Sequence, residues 1–355
     1  MNSWVNELKA VWTEGTGQDS EIVLSTRTRL ARNIKEYSFP SKLAKIDSEL
    51  LLEKTRLLTE SSEDLRFLEL NKLSEEERTV LVEKHLMSPE LANNYTASAL
   101  IIAENGYCSI MVNEEDHFRI QCFSSGLETE KLMKEADAID DWLESEFDFA
   151  YDEKWGYLTA CPTNLGSGLR VSIMMHLPGL TITGQAGRIF SSLQQYGIAI
   201  RGLYGENSEA EGSFFQISNQ LSMGRSEKEI YTNIFEIGQK IIFQEQAARD
   251  YLKDNLYVQT ADRAFRAKGL LGNAYTMSSQ EALGLISDLR LGVALGIIED
   301  ITLQKCNELL LLSQPGSIQL AYNTQMQPQE RDLRRAELLK NWLIENKKNG
   351  GNANV

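Results

Sequence analysis

Three observations predict an α+β protein, a strand-rich first part followed by an all-helical C-terminal part. Residues 22–29, IVLSTRTR, alternate β-branched and polar side chains as a half-buried strand does. Three further short apolar runs, ALIIAEN, CSIMV and HFRIQCF, fall between residues 99 and 123 with turn residues between them. From Ser226 to about residue 255 one helical pattern runs without a break, and beyond it nearly everything reads as helix. A boundary near 255–262 divides the chain into residues 1–257 and a helical part, 258–346, and the polar Gly/Asn-rich end, 347–355, is expected to be disordered.

Taken in order, the first strand places Val23, Ser25, Arg27 and Arg29 on one face. Helices are predicted at about 42–59 and 74–87. The second opens on SEEE, a Ser cap with Glu three residues on, and ends near His85. In HFRIQCF, Phe118, Ile120 and Cys122 form a core face, while His117, Arg119 and Gln121 are expected to look outward. The acids of NEED, residues 113–116, make the hairpin turn before it. An amphipathic helix at about 128–147 leads to the loop CPTNLGSGLR, residues 161–170. A mixed segment follows, then a helix near 185–195 and the strands GIAIRGLYGE and SFFQISNQ. The last helices are expected at 278–290, 300–313 and 328–346.

Composition narrows the function classes. With 355 residues, 42% of them hydrophobic, the chain can bury a large core. No apolar run approaches the roughly 18 to 20 residues of a membrane span, and MNSWVNELKAVW lacks the basic start and apolar centre of a signal peptide, so a cytoplasmic protein is expected. Cys108, Cys122, Cys161 and Cys306 are scattered without a CxxC pair, which indicates neither a disulfide framework nor a zinc site, and all but Cys161 lie in apolar contexts. A net charge of -15 argues against nucleic acid and favours basic partner surfaces. There is no GxxxxGK[ST], no GxGxxG opening a helix after a strand and no HExxH.

The chemistry concentrates in CPTNLGSGLR, where Pro162 fixes the backbone after a thiol, and Gly166 and Gly168 would let the main chain approach an anion closely. Arginines recur beside strands at Arg27, Arg29, Arg119, Arg170 and Arg201. Any one is most simply a solvated charge. Five in matching contexts suit a polyphosphate, because planar forked guanidiniums grip phosphate oxygens bidentately.

STRTR at 25–29, NEEDHFRI at 113–120, CPTNLGSGLR at 161–170 and RGLYGE at 201–206 resemble the motifs of the phosphagen (guanidino) kinases, in family order. The resemblance covers roughly residues 20–255 and implies a mainly antiparallel sheet flanked by helices. It also implies transfer of the terminal phosphoryl group of ATP to a guanidinium nitrogen, with Mg2+ held mainly by phosphates and water. Such an acceptor must lose a proton as it reacts, since its lone pair is delocalised in the cation. Carboxylates gripping its N–H edges can align it and take the proton, and Glu115 and Glu206 are the candidates, with Cys161 flanking them as a thiolate. The resemblance assigns ATP contacts to Ser25, Thr26, Arg27, Thr28, Arg29, Arg119 and Arg170. It extends them to Val171, Ser172, Ile173 and Met174, and to Arg201, Gly202, Leu203, Tyr204, Gly205 and Glu206, with the five arginines as phosphate clamp and the backbone of 25–29, 170–174 and 201–206 lining the nucleotide. His85 matches the family's adenine-stacking histidine.

Two departures bear on the acceptor. Only 24 residues precede Ser25, where kinases of creatine or free arginine carry a helical domain of about a hundred residues. Here a helical part of similar size follows instead, as in the branch of the family that phosphorylates arginine side chains of proteins. Tyr204 and Met174 replace residues that are often basic and histidine in small-molecule kinases. The expected activity is therefore that of a protein arginine kinase. A kinase of free arginine or a non-catalytic ATP-binding adaptor is the alternative. RDLRRA, with Arg331, Asp332, Arg334, Arg335 and Ala336, resembles that branch's allosteric phosphoarginine pocket. The resemblance further implies a homo-oligomer acting in stress and quality control, its products marked for Clp-type proteolysis. The implied partners are a zinc-containing activator (McsA-like), a Clp ATPase and a heat-shock repressor.

Overall fold

A computed structural model describes residues 4–202 and 211–345. Leu203, Tyr204, Gly205 and Glu206, and the end beyond Glu345, lie outside the described residues. An eight-stranded sheet carries the fold, ordered β2-β3-β4-β5-β1-β8-β10-β9. Its strands are β1 (Val23–Arg32), β2 (Leu65–Glu69), β3 (Ala99–Ala103), β4 (Cys108–Val112), β5 (Phe118–Ser125), β8 (Leu169–His176), β9 (Ile198–Gly202) and β10 (Phe214–Asn219). Every pairing is antiparallel. A separate hairpin joins β6 (Tyr151–Asp152) to β7 (Gly156–Tyr157). The helices are α1 (Trp4–Glu7), α2 (Lys45–Glu60), α3 (Glu75–Glu83), α4 (Pro89–Asn93), α5 (Thr129–Glu144), α6 (Pro178–Ile182), α7 (Ala186–Gln195) and α8 (Glu227–Asn255). They continue with α9 (Tyr257–Asn273), α10 (Ser279–Ala294), α11 (Leu303–Leu312), α12 (Pro315–Tyr322) and α13 (Pro328–Glu345).

Strand alternation gives the sheet two faces with different duties. On the back, Leu30, Ile120, Val171 and Ile173 meet Leu132, Ala136 and Leu143 of α5 and Ile234 and Ile241 of α8 in the largest core cluster. Both α3 and α8 start at capping boxes, Ser74 with Glu77 and Ser226 with Glu229, which satisfy the first free amides. On the front, two smaller clusters leave a gap between them. One joins Val80, Leu81 and Leu91 to Leu100, Met111 and Phe123. The other packs the C-terminal helices, through Leu283, Leu309 and Leu339, onto Leu24, Phe214 and Trp12.

The helical region is thus docked on the sheet through a shared core. Arg290 of α10, with no exposed surface, reinforces the joint. It donates to the carbonyls of Ser20 and Glu21 at 2.8 Å each and to Asn307 Oδ1 at 3.0 Å, and contacts His176 Nδ1 at 3.0 Å.

Three sequence expectations change. The mixed segment after the central loop is β8, paired on both sides by β1 and β10. The face of β5 holding His117 and Gln121 does not look outward, because the corner after α3 covers Gln121 and the segment after β1 covers His117. His117 is fully buried, its Nδ1 accepting from the Ile34 amide at 3.1 Å, and Gln121 donates to the carbonyls of His85 and Leu86. Gly166 and Gly168 serve close approach to the protein's own backbone. A Cβ at Gly166 would stand 2.9 Å from Met223 Cα, and one at Gly168 would stand 2.6 Å from the Ala31 carbonyl oxygen.

Burial lowers the pKa of His117 to about 4 and holds His176 well below its ordinary value, the latter helped by Arg290 and Arg249. Below about pH 6.5 the unfolded chain therefore binds protons that the folded one refuses, so stability is lost as pH falls from there toward 4. Raised carboxylates such as Asp116 and Asp140 oppose this, so the histidine share is read by difference: the midpoint change from pH 7 to pH 5 should be less unfavourable in His117→Gln than in the unaltered chain, and an identical change would contradict this account of His117.

Candidate active site

The register of five neighbouring strands sets five guanidiniums on the front face. Arg29 stands directly opposite Arg170, Arg27 opposite Ser172, Ala31 opposite Arg119, and Arg201 opposite Gln216. All five arginines line one cavity of about 740 Å3 in the gap between the two front clusters. Hydroxyls orient two of them: Arg27 Nε donates to Ser172 Oγ at 3.3 Å, and an Arg170 NH2 to Ser218 Oγ at 3.1 Å. Burial and the cations Arg119, Arg170 and Arg201 lower Arg27 to about 9, and burial with Arg119 holds Arg29 well below its ordinary value. So many cations in one cavity create a strong positive potential, which a polyphosphate relieves.

The acid turn borders this floor. Both oxygens of Glu114 accept from Arg119, at 2.6 Å for Oε1, and Oε1 also accepts from Ser88 Oγ at 2.5 Å. Burial pushes Glu114 up, but Arg119 and these hydrogen bonds outweigh it and hold the carboxyl below its usual range. Glu114 thus aims Arg119. The neighbouring Glu115 behaves oppositely: burial, with Asp116 and Glu114 close by, raises it despite Arg119 and Arg29. Of these two glutamates, Glu115 is the one with the raised proton affinity.

Beyond the floor, Trp12 and His85 form an aromatic wall, their rings 5.4 Å apart and tilted by 56°. His85 adopts a φ of 63°, and burial with Arg27 lowers its pKa to about 4, which keeps the imidazole neutral. The C-terminal helices, on which Trp12 packs, add a further wall through Leu310, Leu311 and Gln314. Glu83, at the end of α3, fastens the two walls together. Its carboxylate accepts from the amides of Gly316 and Ser317 at 2.5 and 2.7 Å, capping α12, and from Ser317 Oγ at 2.8 Å. A glutamine here can accept from only one of the two amides, losing about 1 kcal/mol of hydrogen bonding. Glu83→Gln should therefore raise the KM for ATP roughly fivefold with a smaller change in kcat, as read by initial rates against ATP concentration.

Of the residues expected at the site, Arg27, Arg29, Arg119, Arg170, Arg201 and His85 meet in the cavity. At Thr26, Thr28, Val171 and Ile173, where the resemblance implies contacts from the backbone, alternation turns the side chains to the back, and Thr26 Oγ1 donates there to the Gly126 carbonyl. Ser172 and Met174 stand on the front face beside Arg27 and Gln216. Cys161 is half-buried at the start of a turn over Pro162–Asn164, with Sγ 3.1 Å from Thr163 Oγ1. Glu206 lies outside the described residues. Sequence reading missed Glu83, Glu114, Ser218 and Trp12. Only Glu114, inside the acid turn, carried a local signal.

In RDLRRA, Arg335 is 1% exposed and donates to the carbonyls of Ser313 and Met277 and to Asp332 Oδ1. Arg331 donates to the Met326 carbonyl, Arg334 pairs with Glu337, and Ala336 is buried in the C-terminal core. The motif thus ties the starts of α10 and α13 to the end of α11, the helix that supplies Leu310 and Leu311 to the cavity.

An antiparallel sheet whose arginine floor meets an acid turn defines a phosphoryl-transfer site for a cationic acceptor. Residues 48–248 match the ATP:guanido phosphotransferase C-terminal catalytic domain. The chain belongs to the ATP:guanido phosphotransferase family and is an ATP-dependent guanidino phosphotransferase.

Residues 258–353 match the C-terminal domain of the protein-arginine kinase McsB. The chain is 46% identical over 345 residues to the protein-arginine kinase of Symbiobacterium thermophilum, covering 96% of this chain and 98% of that one. It is 44% identical over 348 residues to that of Geobacillus thermodenitrificans, covering 97% of this chain and 96% of that one. Two solved structures share the fold. Lombricine kinase has a TM-score of 0.56 at 24% identity, over 68% of this chain and 70% of that one. The duplicated taurocyamine kinase from Schistosoma mansoni, with bound transition state analog components, has a TM-score of 0.58 at 24% identity, over 74% of this chain and 38% of that one.

Proposed function

We propose that the chain transfers the γ-phosphoryl group of ATP to arginine side chains of proteins. The observation that carries the reading is the convergence of five arginines in one cavity, bordered by a turn whose Glu115 is raised toward basicity. The arginines would grip the triphosphate and hold the transferred group in line, while Glu115, with Glu206, grips the acceptor guanidinium and takes its proton. Cys161 would face the same guanidinium. Mg2+ is the metal of this reading and would neutralise phosphate charge during transfer. Among the described residues there is no cluster of three or more acids, histidines or cysteines suited to hold it, so phosphates and water would supply most ligands.

A protein acceptor is supported by the similarity to protein-arginine kinases along nearly the whole chain, including the C-terminal region. The net charge of -15 favours basic, arginine-bearing surfaces. From the same similarity we infer a cytoplasmic homo-oligomer whose products are marked for Clp-type proteolysis under stress. Its partners would be a zinc-containing activator, a Clp ATPase and a heat-shock repressor. No helix among the described residues is long and apolar enough to cross a membrane. The RDLRRA segment would bind phosphoarginine, which would have to compete with Arg335 for Asp332. Fragmentation mass spectrometry of an arginine-bearing protein, after incubation with the chain and ATP at neutral pH, tests the activity. Phosphate on arginine supports it, and phosphate confined to hydroxyl side chains overturns it.

A further inference from the structure

The turn that carries Glu115 and the loop that carries Cys161 come from distant parts of the chain, and one buried carboxylate joins them. Asp116 is 1% exposed, and its Oδ1 accepts from the Ala160 amide at 2.7 Å and from Asn33 Nδ2 at 2.6 Å. Asn33, equally buried, completes the joint: its Nδ2 also donates to the Leu158 carbonyl at 3.0 Å, and its Oδ1 accepts from the His117 amide at 3.0 Å. A single oxygen therefore fixes the residue after Glu115 to the residue before Cys161. The other oxygen, Oδ2, is buried without a hydrogen-bond partner among the described residues. Leaving a carboxylate oxygen so is costly. The tie needs only the Oδ1 acceptor, which an asparagine would supply, so the negative charge is surplus to local structure.

We propose that Asp116 is a positioning residue for phosphoryl transfer, holding Glu115 and Cys161 at a fixed separation across the acceptor guanidinium. The proposal rests on the reading that these two groups flank the acceptor. The surplus charge has its own effect, because Asp116 and Glu114 raise Glu115 while Arg119 and Arg29 oppose them. Asp116 itself faces Asn33, the Ala160 amide, Arg119 and Glu114.

Two variants of the full chain separate the tie from the charge. Asp116→Asn keeps the Oδ1 acceptor and removes the charge. Asp116→Glu keeps the charge and carries the carboxylate one methylene out of place. Each is assayed for transfer to a protein substrate, for nucleotide affinity by calorimetry, and for alkylation of Cys161 by iodoacetamide, the other three cysteines being buried. In Asp116→Glu, displacement of the loop should lower kcat by about tenfold or more, change the Cys161 alkylation rate and leave nucleotide affinity unaltered. In Asp116→Asn, alkylation and most of kcat should survive, while the acid limb of the pH–rate profile moves to lower pH because Glu115 is no longer raised by its neighbour. Asp116→Glu with wild-type kcat and alkylation, or Asp116→Asn as impaired as Asp116→Glu, would overturn the proposal. Should Asp116→Glu not fold, the acid limb of Asp116→Asn decides, and an unshifted limb overturns it. Glu115→Gln assayed in parallel isolates the underlying reading: if that variant turns over normally, the acceptor site is misassigned, whatever the Asp116 variants do.

Discussion

Glu115→Gln lowers phosphoryl transfer by about 10² to 10⁴ while ATP still binds. The amide keeps the shape of the side chain and its place in the turn but cannot take the proton that the guanidinium must lose. Burial, Asp116 and Glu114 outweigh the attraction of Arg119 and Arg29 and raise the proton affinity of Glu115, which suits it to the proposed task. Glu114 is no substitute, because both its oxygens are engaged by Arg119. Glu206→Gln should behave like Glu115→Gln if the two carboxylates share the acceptor. Steady-state rates at neutral pH decide, with calorimetry to confirm nucleotide affinity, and near-normal turnover would remove Glu115 from the mechanism.

The arginine floor gives the second large effect. Changing Arg119 or Arg170 to Lys keeps the charge but removes the planar fork, and transfer should fall by roughly 10² to 10³ for each. Arg119→Lys would also displace the one nitrogen, Nη1, that donates to both oxygens of Glu114, and Arg170→Lys would lose the bond to Ser218. The lost term is geometric rather than a net field, so raising the ATP concentration should not restore kcat. Wild-type rates in these variants would mean that the floor supplies only bulk positive potential.

The floor was legible in the sequence because strand alternation is local: Arg27, Arg29 and Arg119 read as face-sharing positions, and they are. β8 was not legible. Leu169, Val171, Ile173 and Met175 do alternate with Arg170, Ser172 and His176, but Met174 interrupts the polar face where the helical region covers it, and the buried partners of His176, Ser287 and Arg290, are more than a hundred residues away. Gly166 and Gly168 misled for a similar reason, since a glycine facing a ligand and one facing the protein's own backbone look alike in sequence. His117 followed Arg119 in pattern but not in burial. The contacts that complete the cavity are nonlocal. Glu83 meets α12 across 233 residues of chain, and no periodicity within α3 announces it.

The central claim is that this cavity phosphorylates arginine held in a protein, and one measurement reaches it directly. Labelled ATP is supplied with free arginine in one reaction and with an arginine-rich protein in another, and each product is then treated with acid. The account predicts label on the protein, lost in acid as a phosphoramidate is, with little transfer to free arginine. Label that survives acid, or transfer to free arginine alone, would contradict it.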